Sequence, residues 1–291
     1  MEGRIAEPVA DKNWPSLVAM FFAQAARLGD KPLLWAKRDG RWQSLTWRET
    51  ASQVVRLARA LAAAGIVPGD RVVLVSENRP EWVIADFAIM AAGGITVPAY
   101  VTNTTGDHQY VLQDSGAKAA IVSTARLYAR FLPAVPRAPE LRHVIAIEPA
   151  HLSQNIGVKV TAWNEAIAGH GDGVADLPFE PGRWSADDTA IIIYTSGTGG
   201  APKGVVLSHG AILHNVAGAL DALTTLGLGD EVFLSFLPLS HSYEHTAGLC
   251  FPLSIGAQIY YAESVEALAA NMTAVRPTLM TAVPQIGRAH V

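Results

Sequence analysis

The densest chemistry in the sequence lies at Tyr194-Thr-Ser-Gly-Thr-Gly-Gly-Ala-Pro-Lys-Gly204, directly after the apolar run Ile191-Ile-Ile. Gly197, Gly199 and Gly200 let backbone amides approach a ligand with no Cβ in the way. Thr195, Ser196 and Thr198 add hydroxyl donors, and Lys203 adds a positive charge. Many donors, one cation and close backbone approach are what a polyphosphate requires. A flexible surface loop is the bland reading of such a composition. Its place at a strand's carboxyl end, where α/β sheets gather ligands, argues against that.

Two common nucleotide loops do not fit. A Walker loop needs Gly-Lys-Ser/Thr, with the hydroxyl on magnesium, whereas Pro202 precedes Lys203 and Gly204 follows it. The dinucleotide fingerprint needs glycine where Pro202 stands and a helix straight afterwards. Val205-Val-Leu207 reads as a strand instead, so the loop joins two strands.

A second cluster is Phe236-Leu-Pro-Leu-Ser-His-Ser-Tyr-Glu-His245, which presents His241 just beyond an apolar strand. By itself, His241 reads most simply as a structural histidine at a helix start. His241-Ser-Tyr-Glu-His245 also matches the H-x-x-E-H pattern of inverted zinc proteases. Residues four apart share a helical face, so His241, Glu244 and His245 could serve a zinc hydrolase. Glu263 and Glu266 are the acidic candidates for a further ligand, and no other feature supports a protease. His209 reads as a helix-start or core contact and Cys250 as apolar packing. Trp35 and Trp82 read as core or subdomain contacts.

Short apolar strands alternate with amphipathic helices along the chain, which predicts an α/β fold of largely parallel sheets flanked by helices. Helices are expected at 16–28, from Thr46 with a Thr46/Glu49 capping box, at 80–92 with Asn78 as cap, near 107–114, at 211–224, near 242–254 and at 265–275. Strands are expected at 72–75, 95–98, 119–123, 144–147, 189–194, 205–207, 232–236, 258–261 and 278–282. Residues 133–139 hold three prolines and read as a connection, and 169–182 as a loop or domain seam.

Half of the 291 residues are hydrophobic and 16% are charged, so a large core is expected. A net charge of -4 offers no electrostatic reason for a nucleic-acid partner. One cysteine fits a reducing cytoplasm, and the charged N-terminus lacks a signal-peptide core. The most apolar stretch, 82–98, is interrupted by Asp86 and Gly93-Gly94, which reads as a helix and strand rather than a membrane span. Peripheral contact with the inner face of a membrane stays open.

The 194–204 loop resembles the signature Tyr-Thr-Ser-Gly-Thr-x-Gly-x-Pro-Lys-Gly of the acyl-adenylate-forming (AMP-binding) superfamily, with Gly199 where threonine is commoner. Gly65-Ile-Val-Pro-Gly-Asp-Arg-Val72 and Ser76-Glu-Asn-Arg-Pro-Glu-Trp82 are similar to its N-terminal region. Ala92-Gly-Gly-Ile-Thr-Val-Pro98 and the 236–245 segment are similar to its long-chain fatty-acid–CoA ligase branch. The resemblance implies ATP-dependent activation of a fatty acid to an acyl-adenylate and then to an acyl-CoA, with ATP, Mg2+ and CoA taking part. It implies that Thr195, Ser196, Gly197, Thr198, Gly199, Gly200 and Lys203 hold nucleotide, that Thr195 also contacts the metal, and that His241 stands beside the carboxylate. It further implies that 1–285 is a partial N-terminal domain lacking the cap domain, the Tyr-Gly-x-Thr-Glu segment and the ribose-binding Asp. The alternative is a fragment without catalysis that binds nucleotide weakly. Ile286-Gly-Arg-Ala-His-Val291 reads as a non-native tail.

Overall fold

Ser16 opens the first helix, α1 (Leu17–Leu28), by accepting a hydrogen bond from Ala19 N, and Gly29 closes it at a positive φ of 51°. The computed structural model describes residues 13–149, 157–195, 201–223 and 227–283. A hairpin follows, β1 (Pro32–Arg38) and β2 (Arg41–Thr46). Its turn is Asp39-Gly40, both at positive φ, the pairing that matches the right-handed twist of the flanking strands. Thr46 and Glu49 form the expected capping box of α2 (Trp47–Ala63).

A seven-stranded sheet carries most of the chain. It consists of β3 (Arg71–Val75), β4 (Ile95–Ala99), β5 (Ala119–Val122), β6 (His143–Ala146), β7 (Lys159–Ala162), β8 (Thr189–Thr195) and β9 (Lys203–Ser208), in the order β7-β6-β5-β3-β4-β8-β9. Every pair is parallel except the β8–β9 hairpin. The crossovers are α3 (Pro80–Ala91), α4 (Thr105–Ser115), α5 (Ala125–Phe131) and the short α6 (Trp163–Ile167). After β9 come α7 (His209–Leu223) and a second sheet, β10-β11-β1-β2, in which β10 (Val232–Ser235) and β11 (Gln258–Tyr261) run parallel to β1. A π-helical turn (Glu244–Cys250) leads into α8 (Phe251–Ile255), and α9 (Leu268–Val275) is the last helix described.

Side chains on alternate faces of β3 explain the layering. Val72 and Leu74 join a core built on α1, α2, α3 and the smaller sheet, whereas Val73 and Val75 join a second core with Leu112, Leu127 and Phe131. With both faces buried, the strands need continuous apolar runs, which is why they were legible.

Several expectations require correction. Asn78 does not cap α3. Arg79 occupies that position with no side-chain bond, forgoing about 1 kcal/mol of capping. The 242–254 segment is not one α-helix but a π-helical turn and a short α-helix. Residues 278–282 form a single bridge, Leu279 to Phe233, rather than a strand. The proline-rich connection coils into a 3-10 helix, Leu132–Arg137. The strands β1, β2 and β7 were not expected at all.

Candidate active site

The hairpin β8–β9 brings Thr195 opposite Lys203 and Tyr194 opposite Gly204, with Thr195 and Lys203 exposed where the strands part. The two roots of the loop are braced on α4. Tyr194 donates its hydroxyl hydrogen to Asp114 Oδ2 at 2.7 Å, and Tyr110 donates to the Pro202 carbonyl at 2.8 Å. The two rings meet edge-on at 6.2 Å. Burial and the Asp114 carboxylate push the Tyr194 phenol well above its ordinary pKa, so it stays a donor. A Cβ on Gly204 would come within 2.9 Å of Ile192 Cγ2 and 3.2 Å of the Tyr194 ring, so glycine there lets the tyrosine lie across the hairpin. Ser196, Gly197, Thr198, Gly199 and Gly200 lie outside the described residues.

His241 is exposed beyond the end of β10. Its amide donates to the Pro238 carbonyl at 2.9 Å, closing a turn. Its Nδ1 accepts from Tyr243 N at 3.2 Å, which leaves Nε2 to carry the ring proton and present it as a donor. His241 lines a cavity of about 320 Å³ together with Leu237, Pro238, Tyr243, Glu244 and Val283. Tyr243 also borders a larger apolar cavity of about 460 Å³, walled by Leu207, Ala211, Ile212, Ala219 and Phe251. Tyr243 thus borders both cavities, and α7 returns from β9 to pack on the π-helical turn and wall the larger one.

Glu244 is a site residue in a role that its sequence pattern did not announce. Its side chain is buried and accepts from Ser235 Oγ at 2.7 Å and from Thr281 Oγ1. Burial lifts its pKa to about 7 against the pull of those two hydroxyls. Gly248 makes room for it, since a Cβ there would stand 2.3 Å from the Glu244 carboxyl carbon. The only hint in the sequence was a glycine four residues after a glutamate.

The zinc reading is overturned by these contacts. His241 is exposed whereas His245 is buried, so the two rings do not open onto a common site. His245 is buried, its Nε2 lies 3.0 Å from Asp86 Oδ2, and its Nδ1 faces Cys250 Sγ at 3.9 Å. Burial opposes charge on this ring, but Cys250 and Asp86 outweigh it and raise the pKa. Glu244 is committed to its two hydroxyls. No group of three or more His, Cys, Asp or Glu side chains among the described residues could hold a metal.

The remaining histidine and tryptophan readings hold. His209 starts α7, is buried and accepts at Nδ1 from Leu17 N at 3.4 Å. Cys250 and Trp82 are buried, and Trp35 stacks on Tyr260 with ring centroids 4.9 Å apart. No helix among the described residues is long and apolar enough to cross a membrane.

The sequence profile of the AMP-binding enzyme family matches residues 21–291. The chain is 32% identical over 251 residues to the long-chain-fatty-acid–CoA ligase FadD15 of Mycobacterium tuberculosis, covering 85% of this chain and 40% of that one. It is 30% identical over 278 residues to the human long-chain-fatty-acid–CoA ligase ACSBG2, covering 94% of this chain and 41% of that one. The chain therefore spans about two fifths of the length of these relatives. Among solved structures, a long-chain-fatty-acid-CoA ligase (FadD1) from Archaeoglobus fulgidus superposes with a TM-score of 0.78 at 22% identity, covering 99% of this chain and 55% of that one.

Proposed function

The chain belongs to the AMP-binding enzyme family, and from that premise we propose that it forms the part of a long-chain fatty-acid–CoA ligase that receives ATP and the fatty acid. The observation that carries this reading is the apolar cavity of about 460 Å³ between β9, α7 and the His241 turn. Its volume lies in the range of about 300–1,000 Å³ typical of small-molecule sites, and its walls combine aliphatic and aromatic side chains with Asn215, Ser242 and Thr246. The likeness to long-chain-fatty-acid–CoA ligases supports the same occupant.

In this reading the acyl chain lies in the apolar cavity with its carboxylate beside His241. A carboxylate oxygen attacks the α-phosphorus of ATP. A new P–O bond forms, and the bond to the β-phosphate oxygen breaks as pyrophosphate leaves with the electron pair. The thiol of CoA then adds to the acyl carbon, AMP leaves with the C–O electrons, and the thiol proton is released. The first step brings two anions together, so fixed positive charge and donors at the phosphates lower the barrier. Lys203 supplies charge at the mouth of the hairpin, and His241 Nε2 supplies a donor at the carboxylate side. Thr195 offers a hydroxyl oxygen, a donor type that suits a hard cation, so magnesium there would add charge beside the departing pyrophosphate. Location in a reducing compartment belongs to the same reading and rests on the single, buried Cys250.

Titration of the purified chain with ATP–magnesium and, separately, with palmitate tests the reading. Saturable ATP binding that Lys203→Ala weakens about tenfold, and palmitate binding that Ala219→Trp blocks by filling the cavity, are the expected results. No binding of either ligand at millimolar concentration would sink it.

A further inference from the structure

Asn78 stands at the N-terminus of α3, where its type suits a helix cap, yet it caps nothing. Its side chain instead crosses to the smaller sheet. Asn78 Nδ2 donates to the Leu237 carbonyl at 2.7 Å, and Leu239 N donates back to Asn78 Oδ1 at 3.0 Å. One carboxamide thereby satisfies the carbonyl and the amide on either side of Pro238, much as a neighbouring strand would. A third, longer contact reaches Ser235 Oγ at 3.3 Å, and that hydroxyl donates to Glu244.

We propose that Asn78 is a positioning residue for His241: it clamps the 236–241 loop to the carboxyl end of β3 and so fixes the imidazole in one place and one tautomer. This rests on the reading of His241 as the residue beside the fatty-acid carboxylate. Three observations carry the proposal. Among the described residues the loop has no strand partner of its own, and Pro238 has no amide to offer a ladder. Leu237 and Leu239 are buried, so their backbone groups need partners inside the protein, and Asn78 supplies them. Finally, His241 N bonds to the Pro238 carbonyl, so the peptide gripped by Asn78 is the one that sets the histidine's backbone. A local stability rule is broken at α3 while a constraint appears beside the site, which is where such exchanges are expected.

The test is nitrogen NMR of the chain labelled with 15N-histidine, in alkaline buffer, with the His241 signals assigned by their loss in His241→Gln. The wild type should show one protonated Nε2 and one acceptor Nδ1. In Asn78→Ala the two shifts should move toward each other as tautomers mix, and palmitate affinity should fall about tenfold with ATP affinity unchanged. Asn78→Asp, close in size, keeps the acceptor for Leu239 but loses the donor to Leu237, and it decides the matter if the alanine variant does not fold. An unaltered His241 signature in the folded variants would overturn the clamp. If the wild type binds no palmitate, the functional reading fails, while the nitrogen spectrum still decides whether Asn78 fixes His241.

Discussion

Glu244 and Gly248 form a matched pair within the π-helical turn, one supplying a buried carboxyl and the other the space for it. Gly248→Ala should cost about 1–3 kcal/mol, because the neighbouring wall is a buried, hydrogen-bonded side chain that has nowhere to move. Thermal unfolding would measure it, and an unchanged midpoint would refute the crowding. His108 sets a second expectation at this scale. Both its ring nitrogens are buried without a partner, and burial lowers its pKa from 6.5 to about 4. The unfolded chain therefore takes up a proton that the folded chain refuses. Stability from this group is intact above pH 6.5 and is lost as pH falls toward about 4. His108→Leu should remove that loss, giving an advantage over the wild type that grows by roughly 2 kcal/mol on going from neutral to about pH 5. Urea unfolding at the two pH values checks the slope. Glu244 acts in the opposite direction: its folded pKa of about 7 exceeds its ordinary 4.5, so it removes stability as pH rises between those values. Glu244→Gln should abolish that loss of stability with rising pH.

The π-helical turn is held from outside as well as within. Asp86 on α3 and His245 on the turn form a buried pair, with Trp82 edge-on to the imidazole at 5.9 Å. Removing one partner leaves an uncompensated buried charge, so Asp86→Ala should cost about 3–5 kcal/mol. The double replacement Asp86→Leu with His245→Leu should recover most of that loss in chemical denaturation. If the single and double variants were equally unstable, the pair would not be what holds the turn. Asn78 reaches the same region from the end of β3, so the segment bearing His241 is tied at two points to the element it faces. Neither tie could be read from spacing. Asn78 was legible as a cap and His245 as a zinc ligand, since each residue type suits both local roles, and the partners that decide between them are about 160 residues away.

Over the whole molecule, the smaller sheet is the least local part of the fold. β1 lies between β2 and β11, and Trp35 stacks on Tyr260 across 225 positions of sequence. Deleting residues 13–46 should therefore unmake the β10–β11 sheet and expose residues 232–261 to limited proteolysis, while a deletion that left that segment protected would contradict the topology. The amino-acid sequence by itself determined the α/β class, most strands of the parallel sheet, the helix starts at Ser16 and Thr46, the latter with its capping box, and the phosphate-type loop between β8 and β9. These features are local: a buried parallel strand needs a continuous apolar run, a cap needs one side chain, and a phosphate loop needs glycines and hydroxyls in succession. Strands β1 and β2 escaped because their outward side chains are polar and only Asp39-Gly40 marked their turn. The tertiary structure alone decided which side chains face the hollow beside His241. That outcome depends on α7 folding back from the hairpin, on Asn78 leaving its helix, and on Glu244 finding one hydroxyl on the preceding strand and another at Thr281. Such choices are made by packing between elements, where many residue types satisfy the local pattern and only the partner across the interface selects one role.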